Sequence, residues 1–328
     1  MTFGVSRFFL QLSARPRRSP IALLEEIAMR PFDDPEVCRA VLDSLSVGVY
    51  LVDRDQKILF WNGGAERISG FLRHEVVGRT CRDEILVRTN EHGCVVCATN
   101  SPLSAAIENG QHGEAHLYLH HRSGHRIPVL VRAVPIRDSS GAIIGAAESF
   151  DVPHGVISND RREHPTVPPQ YLDPLTHLAN PTFCQVKLRI FLSTFAVEQM
   201  AFSVLLLRLP EQERFVAQHG AEAGRMLMRA IGETLGNTVR SKDLAGRWSD
   251  NEFLVILANC EISDAPWIAE RITSVANAAT IRWWGEELSA PVVFGVATAE
   301  YGDSLESLIE RSRKSLEQGC RAAGASGT

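Results

Sequence analysis

Short apolar runs separated by turn residues characterise the first half of the chain. The runs VGVYLV and ILFW, and the longer stretch EAHLYLHHRSGHRIPVLVRAVPIRDSSGAIIGAAESFD, have the composition of half-buried strands, with a helical GGAERISGFL between the first two and the third. Within the long stretch, RSG and DSSG have turn chemistry. The pattern predicts an α+β domain over residues 37–151, built on an antiparallel sheet with flanking helices.

Longer apolar runs and helical spacing dominate the second half. The runs FSVLLLRL, EFLVILA and PVVFGVAT are typical of buried strands. Apolar residues recur at helical spacing in VKLRIFLSTFAVEQM, EAGRMLMRAIGETLGNTV, APWIAERITSVANAA and LESLIERSRKSLEQG. The order helix, strand, helix, hairpin, helix, strand, helix predicts an α/β domain with a mixed central sheet and surrounding helices over residues 171–328.

Two further segments lack the apolar content of a packed domain. Residues 152–170 are rich in charge and contain four prolines, which disfavours a continuous helix and predicts a linker. Residues 1–36 begin with a short apolar stretch followed by arginines, and we expect them to form a poorly ordered tail.

Composition narrows the functional classes. The 328 residues suit two domains, and the formal net charge of −5 without a long Lys/Arg run argues against a dedicated nucleic-acid binder. Seven scattered cysteines, an odd number, favour a reducing cytoplasm over a disulfide framework. No apolar run approaches the roughly 20 residues that a membrane span needs. We therefore expect a cytoplasmic globular protein.

The second half resembles the GGDEF family, the diguanylate cyclases. The segments LDPLTHLANPTF, FSVLLLRL, RSKDLAGRWSDNEFLVIL and VVFGVA follow one another like the successive blocks of that family, over about residues 171–324. The resemblance implies a domain in which two GTP-loaded copies meet in a dimer and form cyclic di-GMP. That reaction needs divalent metal held by acidic ligands, and cations for the phosphates.

The residues at the catalytic positions differ from the family pattern. The resemblance places the two metal ligands on Arg208 and Asn251, and the two motif glycines on Ser249 and Asp250. Only Glu252 and Phe253 of the five-letter motif match, and packing alone accounts for Phe253. The positions that contact guanine and phosphate in the family also differ here, and they fall on Val216, Arg225, Glu213 and Cys320. These replacements predict a degenerate domain without catalytic residues.

A second family motif is retained. Arg240 and Asp243, in RSKD, match the RxxD inhibitory site at which cyclases bind their own product, and Arg271 falls at the position of the third residue of that site. Arginine forks pair with phosphate oxygens or with the edge of guanine, and a carboxylate accepts from guanine N–H groups. The resemblance therefore implies cyclic di-GMP as the ligand of these three residues.

The first domain resembles a PAS domain. A strand pair containing Asp53, the segment ILFWN, a short helix, and the final hairpin ending at Asp151 follow the order of that family. PAS domains sense ligands, bind cofactors or dimerise, and the sequence does not choose among these roles. We interpret Asp53 and Asn62 as turn and helix-cap residues rather than as ligand contacts.

Cysteine and histidine are concentrated in the same domain. Cys94 and Cys97 form a CxxC pair, which chelates metal in some proteins and is a reversible thiol pair in others. In a hairpin, His120 and His121 point to opposite faces, so they do not easily share one site. A structural role is the favoured interpretation, with bound metal or haem and thiol chemistry as alternatives. The other members of the group are Cys81, His92, His112, His116 and His125.

Three hypotheses follow for the whole chain. The first is a receptor without catalytic activity, which binds cyclic di-GMP and relays the signal by dimerisation or partner contact. The second is an active cyclase with unusual ligands, and the third is a scaffold that binds no nucleotide. Because the prolines between the domains disfavour a continuous helix, we expect any relay to run through direct contact between the domains.

Overall fold

A computed structural model describes residues 34–80, 85–96, 101–153 and 167–325. Most of the expected tail and linker therefore lies outside the described residues, as do Cys81 and Cys97. Helix α1 (Pro35–Ser44) belongs to a separate unit, and a compact unit begins at Leu45. Among the described residues, no helix is both long enough and apolar enough to cross a bilayer.

The first domain is built on a six-stranded sheet in which all pairings are antiparallel. The strand order is β2-β1-β6-β5-β4-β3. The strands are β1 (Gly48–Asp53), β2 (Ile58–Trp61), β3 (Arg88–Thr89), β4 (Gly113–His120), β5 (Arg126–Arg137) and β6 (Ile143–Asp151). The helices α2 (Gly63–Ser69), α3 (Arg73–Val76) and α4 (Pro102–Asn109) accompany the sheet. The predicted α+β fold is confirmed.

Two polar residues of this domain have the local roles that the sequence indicates. Asn62 is the N-cap of α2, since its side chain accepts from the Ala65 backbone N–H at 2.8 Å. Its amide also bonds to the backbone of Val47 and Val49, which ties the helix start to β1. Asp53 accepts from two backbone N–H groups of the β1–β2 turn.

The core of the first domain combines aromatic rings with a buried charged group. Tyr50, Trp61 and Phe150 lie with their ring centroids 5.5 to 6.3 Å apart. Beside them the buried carboxylate of Glu148 accepts from the Tyr50 hydroxyl at 2.7 Å and pairs with the Arg88 guanidinium. A buried charge paired and hydrogen-bonded in this way avoids the cost of an isolated ion.

The second domain carries a four-stranded sheet of order β12-β7-β9-β8, with antiparallel pairings. One parallel bridge, between Ala179 and Gly246, extends the sheet beyond β8. The strands are β7 (Phe202–Arg208), β8 (Leu244–Arg247), β9 (Glu252–Ala258) and β12 (Val293–Thr298). The helices are α5 (Pro181–Glu198), α6 (Gln212–His219), α7 (Ala221–Thr238), α8 (Ala265–Asn277) and α9 (Leu305–Ala325).

A short hairpin, β10 (Ile281–Trp283) with β11 (Glu286–Leu288), follows α8 and was not predicted. Strands β7 and β9 are buried on both faces of the main sheet, which explains their uninterrupted apolar sequences. One face packs against a core that includes Leu227 and Phe253, and the other against a core that includes Leu188 and Leu206. The α/β fold of the second domain is therefore confirmed.

The two domains touch through the turn between β4 and β5. The Thr280 backbone N–H, just after α8, donates to the Gly124 carbonyl at 3.1 Å. His120 Nε2 lies 3.2 Å from Thr280 Oγ1, and His125 Nδ1 lies 2.7 Å from Glu233 Oε2 on α7. Direct contact between the domains thus occurs where the sequence predicted a hairpin.

Candidate functional site

The sheet register brings Arg208 and Glu252 face to face. They are Cα partners in the β7–β9 ladder, at the end of the sheet where β8 and β9 are joined. Arg208 donates to Glu252 Oε1 from Nη2 at 2.6 Å and from Nε at 2.9 Å. The arginine at the family's metal position therefore forms a cross-strand ion pair with the glutamate that the motif retains.

A second arginine completes this cluster. Arg313 of α9 donates to Glu252 Oε2 at 3.3 Å, so both carboxylate oxygens have a cationic partner. The Glu252 side chain is only 6% exposed, against 29% for Arg208, which leaves the carboxylate little open surface. A divalent cation needs anionic oxygen ligands, and here two guanidinium groups surround the one carboxylate. These residues do not fit a magnesium ion.

The turn between β8 and β9 is a tight polar connection. The Trp248 and Ser249 backbone N–H groups donate to the Glu252 carbonyl, at 2.8 and 3.2 Å, and the Asn251 carbonyl accepts from Leu209. The Asp250 side chain is fully exposed. Phe253 is completely buried, as packing alone predicts. The turn residues therefore close a hairpin, and Asp250 places a negative charge on its surface.

The other positions that contact guanine or phosphate in the family do not form a nucleotide site here. Val216 on α6 packs against Gly224, where an added Cβ would lie 2.6 Å from Val216 Cγ2. Arg225 is exposed and pairs with Glu222, its neighbour on the same helix. Glu213 is exposed. Cys320 lies within α9, but its side chain is outside the described residues.

The Arg240 turn, residues Arg240–Asp243, leads from α7 into β8. Asp243 is buried, and its carboxylate accepts from the Arg240 N–H at 3.1 Å and from the Ala258 N–H, at the end of β9, at 3.0 Å. Burial raises the pKa of Asp243, although these two bonds and the charges of Arg240 and Arg271 oppose the shift. The carboxylate is thus mainly a fixed support of the turn, while Arg240 is exposed.

Arg271 lies on α8, half-buried, with its guanidinium carbon 5.8 Å from the centroid of the Trp267 ring. Its Nε atom is buried without a hydrogen-bond partner. Since the charges of Arg240 and Arg271 both act on Asp243, the three predicted residues lie in one neighbourhood.

Two residues near these clusters were missed by the sequence reasoning. Tyr118 of β4 is buried, and its hydroxyl lies within the electrostatic influence of Arg271. Burial raises the pKa of Tyr118, although the charge of Arg271 and a side-chain interaction with it oppose the shift. Arg313 was missed because its sequence context is that of an amphipathic helix. No local signal links either residue to its partner, since both contacts join distant segments.

The histidines of the cysteine- and histidine-rich region differ in exposure, since His120 is buried whereas His92, His112 and His116 are exposed. Burial, helped by the charge of Arg126, lowers the pKa of His120 to about 3, and burial lowers that of His121 to about 4. Cys94 is an exposed free thiol, and its possible partner Cys97 lies outside the described residues. In the ranges that the structure describes, no three His, Cys, Asp or Glu side chains are grouped as metal ligands.

Curated relatives of this chain include diguanylate cyclases and a response regulator. The chain is 28% identical over 258 residues to the probable diguanylate cyclase DgcE of Escherichia coli K12, a match that covers 77% of this chain and 22% of DgcE. It is 30% identical over 155 residues to the response regulator PleD of Caulobacter vibrioides, covering 46% of this chain and 34% of PleD. The chain therefore spans only a minor part of these relatives.

Solved structures with a similar backbone include GGDEF domains. The GGDEF domain of DgcB from Caulobacter crescentus, in complex with c-di-GMP, is 21% identical, with a TM-score of 0.45, and the match covers 50% of this chain and 94% of that one. The GGDEF domain of FimX from Pseudomonas aeruginosa is 14% identical, with a TM-score of 0.44, and the match covers 46% of this chain and 94% of that one.

Two family models match the chain in succession. The model of the PAS fold matches residues 38–148, and that of the diguanylate cyclase GGDEF domain matches residues 170–325. These ranges coincide with the two folded regions described above. The sequence-based resemblance is confirmed at this level: the chain carries a PAS domain followed by a domain of the GGDEF family.

Proposed function

We propose that this chain is a receptor for cyclic di-GMP without catalytic activity. The ligand binds at the surface of the second domain, where Arg240 and Arg271 supply positive charge and Asp243 supports the turn between them. The observation that carries the proposal is that the arginines of the two family sites differ in whether they are paired. At the motif glutamate, Arg208 and Arg313 are engaged by Glu252, whereas the Arg240 side chain remains exposed.

The chemistry of the ligand suits two arginines. Cyclic di-GMP carries two phosphates and two guanine bases, and guanidinium forks pair with both phosphate oxygens and the O6/N7 edge of guanine. For Asp243 we propose a mainly structural role in this site. Because its oxygens already accept two backbone N–H groups, it holds Arg240 in position rather than serving chiefly as a partner of guanine N–H groups.

The absence of catalysis is proposed from the chemistry of the cluster around Glu252. Joining two GTP molecules requires divalent metal to neutralise developing phosphate charge. A carboxylate that is 6% exposed and already paired with two arginines is a poor ligand, and the neighbouring position is the neutral Asn251. Release of Glu252 would leave a buried charge unpaired.

The relay of the signal is proposed to run through the contact between the domains, in a cytoplasmic protein that dimerises or meets a protein partner. The contact observed at Thr280 and Gly124 supports a direct route. A scaffold that binds no nucleotide is the outcome if the receptor hypothesis fails.

Calorimetric titration of cyclic di-GMP tests the receptor proposal. We expect saturable binding to the full chain, a loss of at least about tenfold in affinity for Arg240→Ala, and no change for the control Lys242→Ala. Lys242 is an exposed cation in the same turn, so it reports on non-specific charge. No binding at low-millimolar ligand, or equal losses for both variants, contradicts the proposal.

Incubation with GTP and Mg²⁺, followed by chromatography, tests the alternative of an active cyclase. We expect no cyclic di-GMP to form. Product formation that persists after exhaustive purification would show that Glu252 does leave its two arginine partners.

A further inference from the structure

The PAS domain holds the second domain through Arg126, the first residue of β5. The Arg126 backbone N–H donates to Thr234 Oγ1 at 3.0 Å, and Asn237 Nδ2 donates to the Arg126 carbonyl at 3.0 Å. Both backbone groups of one PAS residue are therefore bonded by side chains of α7. Such bonds fix the position of the strand end on this helix.

The Arg126 side chain holds the next helix. Its guanidinium is buried and donates from Nε to the Ala278 carbonyl, directly after α8, at 2.7 Å. Burial lowers the pKa of Arg126 to about 10, with the charge of Glu287 opposing the shift, so the group stays protonated near neutral pH. A cation at the carboxyl end of a helix donates to a carbonyl that has no partner within the helix, and it interacts favourably with the helix dipole.

The helices that Arg126 contacts also carry the proposed ligand residues. Helix α7 ends at Thr238, two residues before Arg240, and Arg271 lies on α8. A shift of the PAS domain against these helices would therefore alter the positions of both arginines. The coupling element is a contiguous set of packed residues.

Arg271 itself is covered from the PAS side. Its Nε atom is buried without a hydrogen-bond partner, and the guanidinium charge acts on the buried Tyr118 of β4. One helical turn further on, a Cβ added at Gly93 would lie 2.6 Å from the Ser274 carbonyl oxygen, so the PAS loop lies directly on α8. Side-on bidentate pairing of an arginine uses Nε together with one Nη. In the docked arrangement this edge of Arg271 is closed.

We propose that the docked PAS domain keeps the cyclic di-GMP site closed. The ligand binds fully only when Arg271 leaves Tyr118, so ligand binding and PAS docking compete. The inference rests on the proposed receptor function and adds its regulation. By reciprocity, a signal that loosens the PAS domain raises the affinity for cyclic di-GMP, and cyclic di-GMP loosens the PAS domain.

A pair of glycine substitutions in the full chain tests the competition. Gly124 has a φ of +97°, and an added Cβ would lie 1.9 Å from the backbone oxygen of Thr280, which cannot rotate away. Gly124→Ala therefore forces the domains apart. Gly141→Ala is the matched control, because Gly141 also lies in a PAS hairpin turn with a φ of +86° but has nothing within 4 Å of an added Cβ.

We expect Gly124→Ala to bind cyclic di-GMP at least about fivefold more tightly than wild type, and Gly141→Ala to bind like wild type. Tyr118→Phe, which removes only the hydroxyl, should also bind more tightly. Hydrogen exchange over residues 271–280 should increase in Gly124→Ala and, on addition of cyclic di-GMP, in the wild type.

The outcomes separate the two proposals. If wild type, Gly124→Ala and Tyr118→Phe bind with equal affinity, or if Gly124→Ala binds more weakly, the competition is wrong and the receptor proposal stands. If none of the variants binds cyclic di-GMP at all, the receptor proposal is wrong and the competition with it.

Discussion

Each end of the β8–β9 hairpin carries a buried carboxylate, but the two carboxylates have different hydrogen-bond partners. At one end, the Glu252 carboxylate is satisfied by two arginine side chains, Arg208 and Arg313. At the other end, the Asp243 carboxylate is satisfied mainly by backbone N–H groups, and Arg240 stays exposed. The partner of a buried carboxylate therefore decides whether nearby arginine side chains are paired inside the protein or stay exposed.

Replacement of the backbone-bonded carboxylate should have the largest effect on stability. Asp243→Ala leaves the N–H groups of Arg240 and Ala258 without their partner, and we expect the free energy of unfolding to fall by about 3 kcal/mol. Urea denaturation measures this. Asp250→Ala, at the exposed turn of the same hairpin, should change it by less than about 0.5 kcal/mol. Similar values for both variants would show that Asp243 does not support the turn.

Loss of the Asp243 carboxylate would affect the structure as well as the site. A double substitution of Arg240 and Asp243 would remove the proposed ligand contact together with the carboxylate that supports the turn. Because the Asp243 carboxylate accepts backbone N–H groups from Arg240 in the same turn and from Ala258 at the end of β9, that change would confound loss of binding with loss of structure. Substitution of Arg240 alone avoids the problem.

Removal of the cross-strand arginine should have the next largest effect. Arg208→Ala leaves Glu252 with Arg313 alone, and we expect a loss of about 2 kcal/mol, less than for a fully buried pair because Arg208 is partly exposed. Arg225→Ala is the control, since its pair with Glu222 is exposed on one helix and should contribute about 0.5 kcal/mol or less. Equal losses in urea denaturation would mean that the cluster around Glu252 is an ordinary surface pair.

Acidification should weaken the side of the molecule where the domains meet. The pKa values of His120 and His121 are lowered to about 3 and about 4, so in the folded protein both rings stay neutral well below their ordinary pKa. The unfolded chain takes up protons first, and stability therefore decreases as the pH falls below about 6.5. The melting temperature should fall between about pH 7 and about pH 5, and fall less in His120→Gln.

Glu233 contributes to the stability of the folded protein over a different pH range. Burial opposes its ionisation, but bonding to His125 and Arg229 outweighs burial and lowers the pKa of Glu233 to about 2. Its stabilisation is present above its unfolded pKa and is lost at more acidic pH than the histidine effect.

A melting temperature that is equally pH-dependent in wild type and His120→Gln would contradict the assignment of the histidine effect to His120.

The smallest expected effect is that of magnesium. Because the Glu252 carboxylate is already paired with Arg208 and Arg313, adding low-millimolar Mg²⁺ should leave the melting temperature unchanged. Ca²⁺ serves as a second hard cation for comparison. A clear rise specific to Mg²⁺ would show that acidic groups in this domain do form a metal site.

Much of the fold could be predicted because it depends on local patterns. Apolar runs indicated β7, β9 and β12, and turn residues indicated the hairpin between β4 and β5. The β10–β11 hairpin was missed because its strands have three residues each, too few for a periodicity to emerge.

The candidate site was predictable only as far as single positions could be compared with a family. The replacement at Arg208 was visible in the sequence, but the pairing of Glu252 with Arg313 depends on the packing of α9 against the sheet. Likewise, the contact of Tyr118 with Arg271 joins segments more than a hundred residues apart. Tertiary contacts of this kind leave no local signal in one sequence.

The central claim is that Arg240 remains available for cyclic di-GMP while the cluster at Glu252 is closed. Calorimetric titration of the full chain, with Arg240→Ala and Arg208→Ala side by side, tests it most directly. We predict saturable binding that Arg240→Ala weakens at least about tenfold and that Arg208→Ala leaves unchanged once its folding is verified. Binding that depends on Arg208 but not on Arg240, or no binding at all, would contradict the account.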